Sequence, residues 1–200
     1  MAFETVKANL EKNGFTVSVF ATKEEAAAYL NEKIDKVTVG MGGSMTLTEM
    51  GLKESLSAHN VLFSHGYTHC APPVAQKMAA TADVYLLSAN GISESTGEIL
   101  NIDGIGNRVS ASLFGHQKVY FVAGKNKVSP DFESALYRVR NVVAPKNAQR
   151  LKRKTPCAAK ADKCYNCASP ERICKALVVY YGKMMGADME VVLIDQEIGY

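Results

Sequence analysis

The chain has little excess charge of either sign: 23 basic and 20 acidic residues leave a formal net charge of +3. A balance so small does not imply nucleic acid unless the cations cluster. No apolar run approaches the roughly 18 residues that a membrane-spanning helix needs, so none is expected. The opening Met1-Ala2-Phe3-Glu4-Thr5 lacks both a basic and an apolar stretch, so no signal peptide is expected and a cytoplasmic protein is. There is no internal repeat and no low-complexity segment. The glycine-rich stretch lacks the Walker lysine and the GxGxxG spacing, which signals neither an ATPase nor a dinucleotide-binding protein. What is present is a chain of 200 residues, 47% hydrophobic and 22% charged, enough for one full core with at most a small appendage.

Apolar periodicity alternates between strand and helix along most of the chain. Residues 3–13 place Val6 and Leu10 on one helical face before Gly14. Phe15 to Phe20 reads as a strand. Thr22 can cap a helix running to Lys33, with Glu25 closing a capping box. Strands are expected at Lys36 to Gly40, Asn60 to Ser64, Val84 to Ser88 and Lys118 to Ala123. Helices are expected at Thr48 to Ala58, Val74 to Thr81 and from Pro130 to Val143, the last ended by Pro145. Such alternation is the pattern of a mainly parallel sheet with helices on both faces. Val39, Leu86 and Val122 belong to runs apolar on both faces, as central parallel strands require. Ala176 to Tyr181 and Met189 to Ile194 also read as strands, with pairing to each other one arrangement. Residues 146–175 change composition and read as an insertion in a single domain.

Three segments follow strands and so belong at the edge where open α/β sheets bind ligands. The first holds Gly42, Gly43, Ser44 and Thr46; its amides and hydroxyls suit a phosphate or carboxylate. The plain alternative is a tight turn with Ser44 or Thr46 as helix cap. The second runs from Ser88 to Arg108 and carries Glu94, Asp103, Asn107 and Arg108. A carboxylate beside an arginine can orient a substrate or act as acid or base, which makes Glu94 and Asp103 the candidate catalytic groups. A β-hairpin turning at Thr96-Gly97-Glu98 accounts for the same residues, and the two readings are compatible. The third, around Asn126 and Lys127, adds an amide and a cation. His65, His69 and Cys70 are a conceivable metal trio, though a polar loop explains them more simply.

The cysteines make the most specific local pattern: Cys157-x6-Cys164-x2-Cys167-x6-Cys174. Two thiolates two residues apart can share a metal, and the outer pair completes four ligands. In a reducing compartment this spacing points to zinc or an iron–sulfur cluster before disulfides. It matches neither common ferredoxin run, so the metal stays open. Arg150, Lys152, Arg153 and Lys154 precede the motif. With little aromatic content beside them they read as a solvated loop, and no nucleic-acid partner is expected.

Taken together, GGSMTLTEMGL (42–52), TGEILNIDGIGNRVSA (96–111), VAGKNK (122–127), ALYRVRNVVAP (135–145), the cysteine segment 156–174 and the terminal EIGY resemble the lactate-utilisation (LUD) family. The resemblance spans essentially the whole chain. It implies the three-layer α/β/α sandwich of ribose-phosphate isomerases and CoA transferases. It also implies a ligand-binding or redox-linked role in oxidising lactate or another 2-hydroxy acid, beside an iron–sulfur oxidoreductase partner. Many members lack the four cysteines, so these mark a subgroup. Two other functions fit the residues: an isomerase or acyl (CoA) transferase on a phosphorylated or CoA-linked small molecule, and a zinc-stabilised interaction module.

Overall fold

A computed structural model describes residues 3–64 and 71–200; the trio His65, His69 and Cys70 lies outside the described residues. Its centre is a six-stranded sheet of β1 (Thr16–Phe20), β2 (Thr38–Met41), β3 (Val61–Ser64), β4 (Val84–Ser88), β7 (Lys118–Gly124) and β10 (Asp188–Ile194). The strands run in the order β1-β10-β7-β4-β2-β3, and every pairing is parallel. Val39, Leu86 and Val122 are fully buried on three of these strands, as their two-sided apolar runs require.

Alternate residues of each central strand feed opposite faces. On β7, Val119, Phe121 and Ala123 enter one core with Leu87 and Leu193. Tyr120 and Val122 enter the other with Leu86 and Ile194. The second core is closed by α2 (Lys23–Lys33), α3 (Met45–Glu49) and α4 (Leu52–Ser57) through Leu30, Leu47, Leu52 and Leu56. The first is closed by α1 (Glu4–Lys12) through Val6 and Leu10, and by a small second sheet. This is the mainly parallel α/β/α sandwich expected.

The second sheet carries more than the expected hairpin. It joins β5 (Gly91–Ser93) and β6 (Ile99–Asp103) to β8 (Val128–Ser129) and β9 (Ala176–Tyr180) in the order β8-β5-β6-β9. Ile92, Ile99 and Tyr180 face the large sheet. Leu100 packs on the opposite side against Ala135 and Val139 of the helical segment beyond.

Three local expectations are corrected. The helix expected over 48–58 is two helices, broken where Gly51 takes a positive φ of 65°. Pro145 does not end its helix. Between α7 (Phe132–Arg138) and α8 (Ala144–Arg150) the chain makes a π-helical turn, Val139–Val143, and Pro145 follows it in the first turn of α8. The last two strands do not pair with each other. β10 is buried from Met189 to Ile194 and lies inside the parallel sheet, whereas β9 begins exposed and pairs antiparallel with β6.

Candidate functional site

The loop after β2 reaches the C-terminal edge of the large sheet. Its Gly42 lies under the stem of Arg108, because a Cβ there would stand 2.5 Å from Arg108 Cγ and 3.0 Å from the Tyr85 hydroxyl. Ser44 caps α3, accepting from the Leu47 amide at 3.3 Å. The capping alternative is therefore correct, yet the same residue lines a recess beyond the loop. Thr46 is buried; its hydroxyl donates to the Ile198 carbonyl at 3.4 Å and accepts from Ser88 at 3.2 Å.

Arg108 comes from α6 (Asn107–Leu113), which follows β6 through an Asp103 turn. Asp103 Oδ1 accepts from the amides of Ile105 and Gly106, both at 3.1 Å, which fixes the turn. Asp103 Oδ2 is buried without a hydrogen-bond partner and lies 4.0 Å from Arg108 Nε. Arg108 also donates through Nη2 to Asn101 Oδ1 at 3.3 Å. An arginine beside a carboxylate oxygen with free acceptor capacity is an arrangement able to hold an acid and accept its proton.

Lys127 is 1% exposed. Its Nζ donates to the Tyr200 carbonyl. Burial, reinforced by the nearby charges of Arg138 and Lys146, brings its pKa down to about 7 against the opposing pull of Glu49. Burial also lowers Arg138, whose Nε and Nη2 have no hydrogen-bond partner.

Ser44, Thr46, Asp103, Arg108 and Lys127 surround one opening. A recess of about 40 Å³ is lined by Gly43, Ser44, Thr46, Asn90, Arg108 and Lys127 on the sheet side. Asn147, Arg150 and Tyr200 close it on the other side. It continues into a cleft of about 460 Å³, lined by Asp103, Asn107 and Arg108, the end of α8, residues 170–173 and Lys175. Ser44 and Asn107 thus share the wall of one opening through Gly43 and Arg108.

Three sequence candidates lie outside the opening, and the first, Gly42, sits beneath the Arg108 stem and lines neither recess nor cleft. Glu94 sits at the turn end of the β5–β6 hairpin, opposite to Asp103; its amide donates to the Ser129 carbonyl at 2.8 Å and its carbonyl accepts from Asn9 of α1 at 2.8 Å. It lines neither recess nor cleft, because the hairpin carries it to the far end of β6. Asn126 is turned to the terminal segment, donating to the Gly199 carbonyl at 3.1 Å and accepting from the Ile198 amide at 3.3 Å. It holds that segment in place and does not face the opening.

Sequence reasoning missed Asn147 and Arg150 as site residues. Their i, i+3 spacing puts them on one helix face, but Pro145 reads locally as the end of that helix. Tyr200 was missed as well. Its hydroxyl accepts from Arg150 Nε at 2.7 Å, which no local pattern announces.

The four cysteines carry no disulfide. All four line one small cavity with Arg140, Arg172 and Ile173. Three sulfurs already have polar neighbours: Thr155 Oγ1 at 3.3 Å from Cys157, the Asn166 amide at 3.4 Å from Cys164, and Arg172 Nε at 3.3 Å from Cys174. The π-helical turn supports the loop, Asn141 Oδ1 accepting from the Cys164 amide at 3.0 Å. Among the described residues no three His, Cys, Asp or Glu side chains are arranged to hold a metal ion. The donor set suits a thiophilic metal; the spacing of the side chains as they stand does not yet enclose one.

The model of the LUD domain matches residues 3–194. The chain belongs to the LUD domain family. That membership links it to lactate utilisation. Among solved structures, this LUD chain is similar to a DUF162 family protein from Deinococcus radiodurans, with a TM-score of 0.56 and 12% identity, over 95% of this chain and 94% of that one. At that identity the likeness supports the fold alone. No curated protein matches the chain. Among the described residues no helix is long and apolar enough to cross a membrane.

Proposed function

We propose that this LUD domain binds a small 2-hydroxy acid of the lactate class in the recess, as the ligand-binding component of a redox system. The observation that carries the reading is the meeting of Arg108 and Asp103 with the Ser44 loop and Lys127 around one opening. Arg108 supplies a planar pair of donors for a carboxylate. Asp103, with Oδ2 4.0 Å from Arg108 and lacking a hydrogen-bond partner, would accept the substrate hydroxyl.

Cys157, Cys164, Cys167 and Cys174 would hold a metal centre, zinc or an iron–sulfur cluster; a cluster would supply one-electron transfer to an iron–sulfur oxidoreductase partner. Support comes from the four thiols on one cavity wall. Binding would draw the sulfurs inward, and the irregular chain of residues 161–175 leaves room for that movement.

The test is calorimetric titration of L-lactate into protein purified without oxygen. Arg108→Gln should weaken binding at least tenfold, and Asp103→Asn should weaken lactate more than propionate, which lacks the hydroxyl. Equal lactate affinity in wild type and Arg108→Gln would remove the reading.

A further inference from the structure

We infer that the outer half of the cleft is a site for a diphosphate ester, a second ligand distinct from the small acid of the recess. The inference shares the cleft with the proposed function, and Arg150 borders both openings, but it rests chiefly on Arg153, Arg172 and Lys175, which do not line the recess. Arg150, Arg153, Arg172 and Lys175 all line this half. Among the described residues none of the four is paired with a carboxylate. With Arg108 they make five cations on one cleft, against the two carboxylates of Asp103 and Glu171. That excess equals the formal net charge of the entire chain, +3. Glu171 is itself engaged, accepting from the Lys154 amide at 2.8 Å. Cations gathered in a concave wall focus their field on an anion.

Arg150 is held by neutral partners, so its position is set while its charge remains available, and Arg172 is fixed by the cysteine segment. Arg150 donates to Asn147 Oδ1 at 3.1 and 2.8 Å and to the Tyr200 hydroxyl at 2.7 Å. Arg172 donates to the Cys167 carbonyl at 2.9 Å and to Cys174 Sγ. The four come from two separate walls, the end of α8 and the chain leaving the cysteine motif. Adjacent phosphoryl groups can engage both walls at once, which a lone carboxylate cannot.

Size points the same way. A cleft of about 460 Å³ falls in the range that encloses a cofactor-sized molecule. A three-carbon acid would leave most of it to water. Ile105 and Leu151 stand on its wall 75% and 39% exposed, an apolar surface for the organic part of the ester.

The experiment titrates inorganic phosphate, inorganic pyrophosphate and ADP into the full chain at low ionic strength, where surface charge is least screened. Pyrophosphate should bind at least tenfold more tightly than phosphate, and ADP at least as tightly as pyrophosphate. Tighter ADP assigns the organic part to a nucleotide; equal affinity leaves a diphosphate ester of another kind. The double variant Arg153→Gln/Lys175→Gln, at exposed positions, should lose the pyrophosphate advantage while keeping its melting temperature and its affinity for phosphate. Arg108→Gln should retain the pyrophosphate advantage even as lactate binding fails, so the two readings stand or fall separately. Pyrophosphate binding no tighter than phosphate, or unchanged in the double variant, overturns the site.

Discussion

Lys127 is the residue with the largest consequence for pH. Its ordinary value of 10.5 is brought down to about 7 by burial and by Arg138 and Lys146, with Glu49 opposing. The unfolded chain therefore holds a proton there between about pH 7 and 10.5 that the folded chain has lost. The sign follows: this lysine destabilises the fold fully below about pH 7, and the penalty is relieved as pH rises toward 10.5. An anion in the recess favours the charged ammonium, so binding above neutrality takes up a proton. Lactate affinity should fall as pH rises from about 7 to 9, and Lys127→Met should flatten that dependence. Calorimetry in buffers of different ionisation enthalpy measures the proton directly. A wild-type affinity that does not change over this interval would exclude Lys127 from the site. The lowered value was not legible in the sequence, where Lys127 is one of two lysines in a Gly-Lys-Asn-Lys loop. Only the fold puts one of them, at 1% exposure, under the terminal segment.

Elements with a local cause were legible, and those answering to distant chain were not. The α2 capping box forms as Thr22 and Glu25 dictate, because both hydrogen bonds close within one turn. The β2–α3 turn was legible as a ligand-edge turn, but its tightest demand comes from another element. Gly42 is required because Arg108 of α6 crosses it. Gly42→Ala should leave the sheet folded at a cost of about 1–3 kcal/mol of overpacking. It should displace the Arg108 stem and lower lactate affinity as far as Arg108→Gln does. Denaturant unfolding and calorimetry together check this; an unaltered affinity would show that Arg108 reaches the recess by another path. Pro145 misled for the complementary reason. A proline breaks a regular helix, but the π-helical turn before it admits the ring, and so α8 brings Asn147 and Arg150 to the opening.

For the molecule as a whole, the cysteine segment is built into the cleft. The Lys175 amide donates to the Asp103 carbonyl at 2.9 Å, and Gly104 lies so close to Ile173 that a Cβ would stand 2.9 Å from its Cα. Arg172 and Ile173 line both the cleft and the cysteine cavity. The chain from 161 to 175 contributes few apolar groups of its own, so the proposed metal would add to its order. Cys164→Ser/Cys167→Ser should release the metal, speed hydrogen exchange through residues 150–175 and leave the six-stranded sheet protected. The pyrophosphate advantage should be lost with it, since Arg172 and Lys175 stand on that chain. Metal content equal to that of the wild type, by elemental analysis, would show that these cysteines do not bind it.

The sequence alone settled the parallel α/β class, the burial of Val39, Leu86 and Val122 and the capping of α2, because these depend on periodicity and on bonds within a turn. It also marked the glycine turn and the Asp103–Arg108 run as ligand-edge segments. The tertiary structure decided the rest. Glu94 was placed at the far end of a hairpin and Asn126 against the terminal segment, while Arg150 and Tyr200 were brought in. β9 and β10 were assigned to different sheets. Each of those outcomes depends on which surface a segment finds to bury against, and residues far apart in the chain set that choice together.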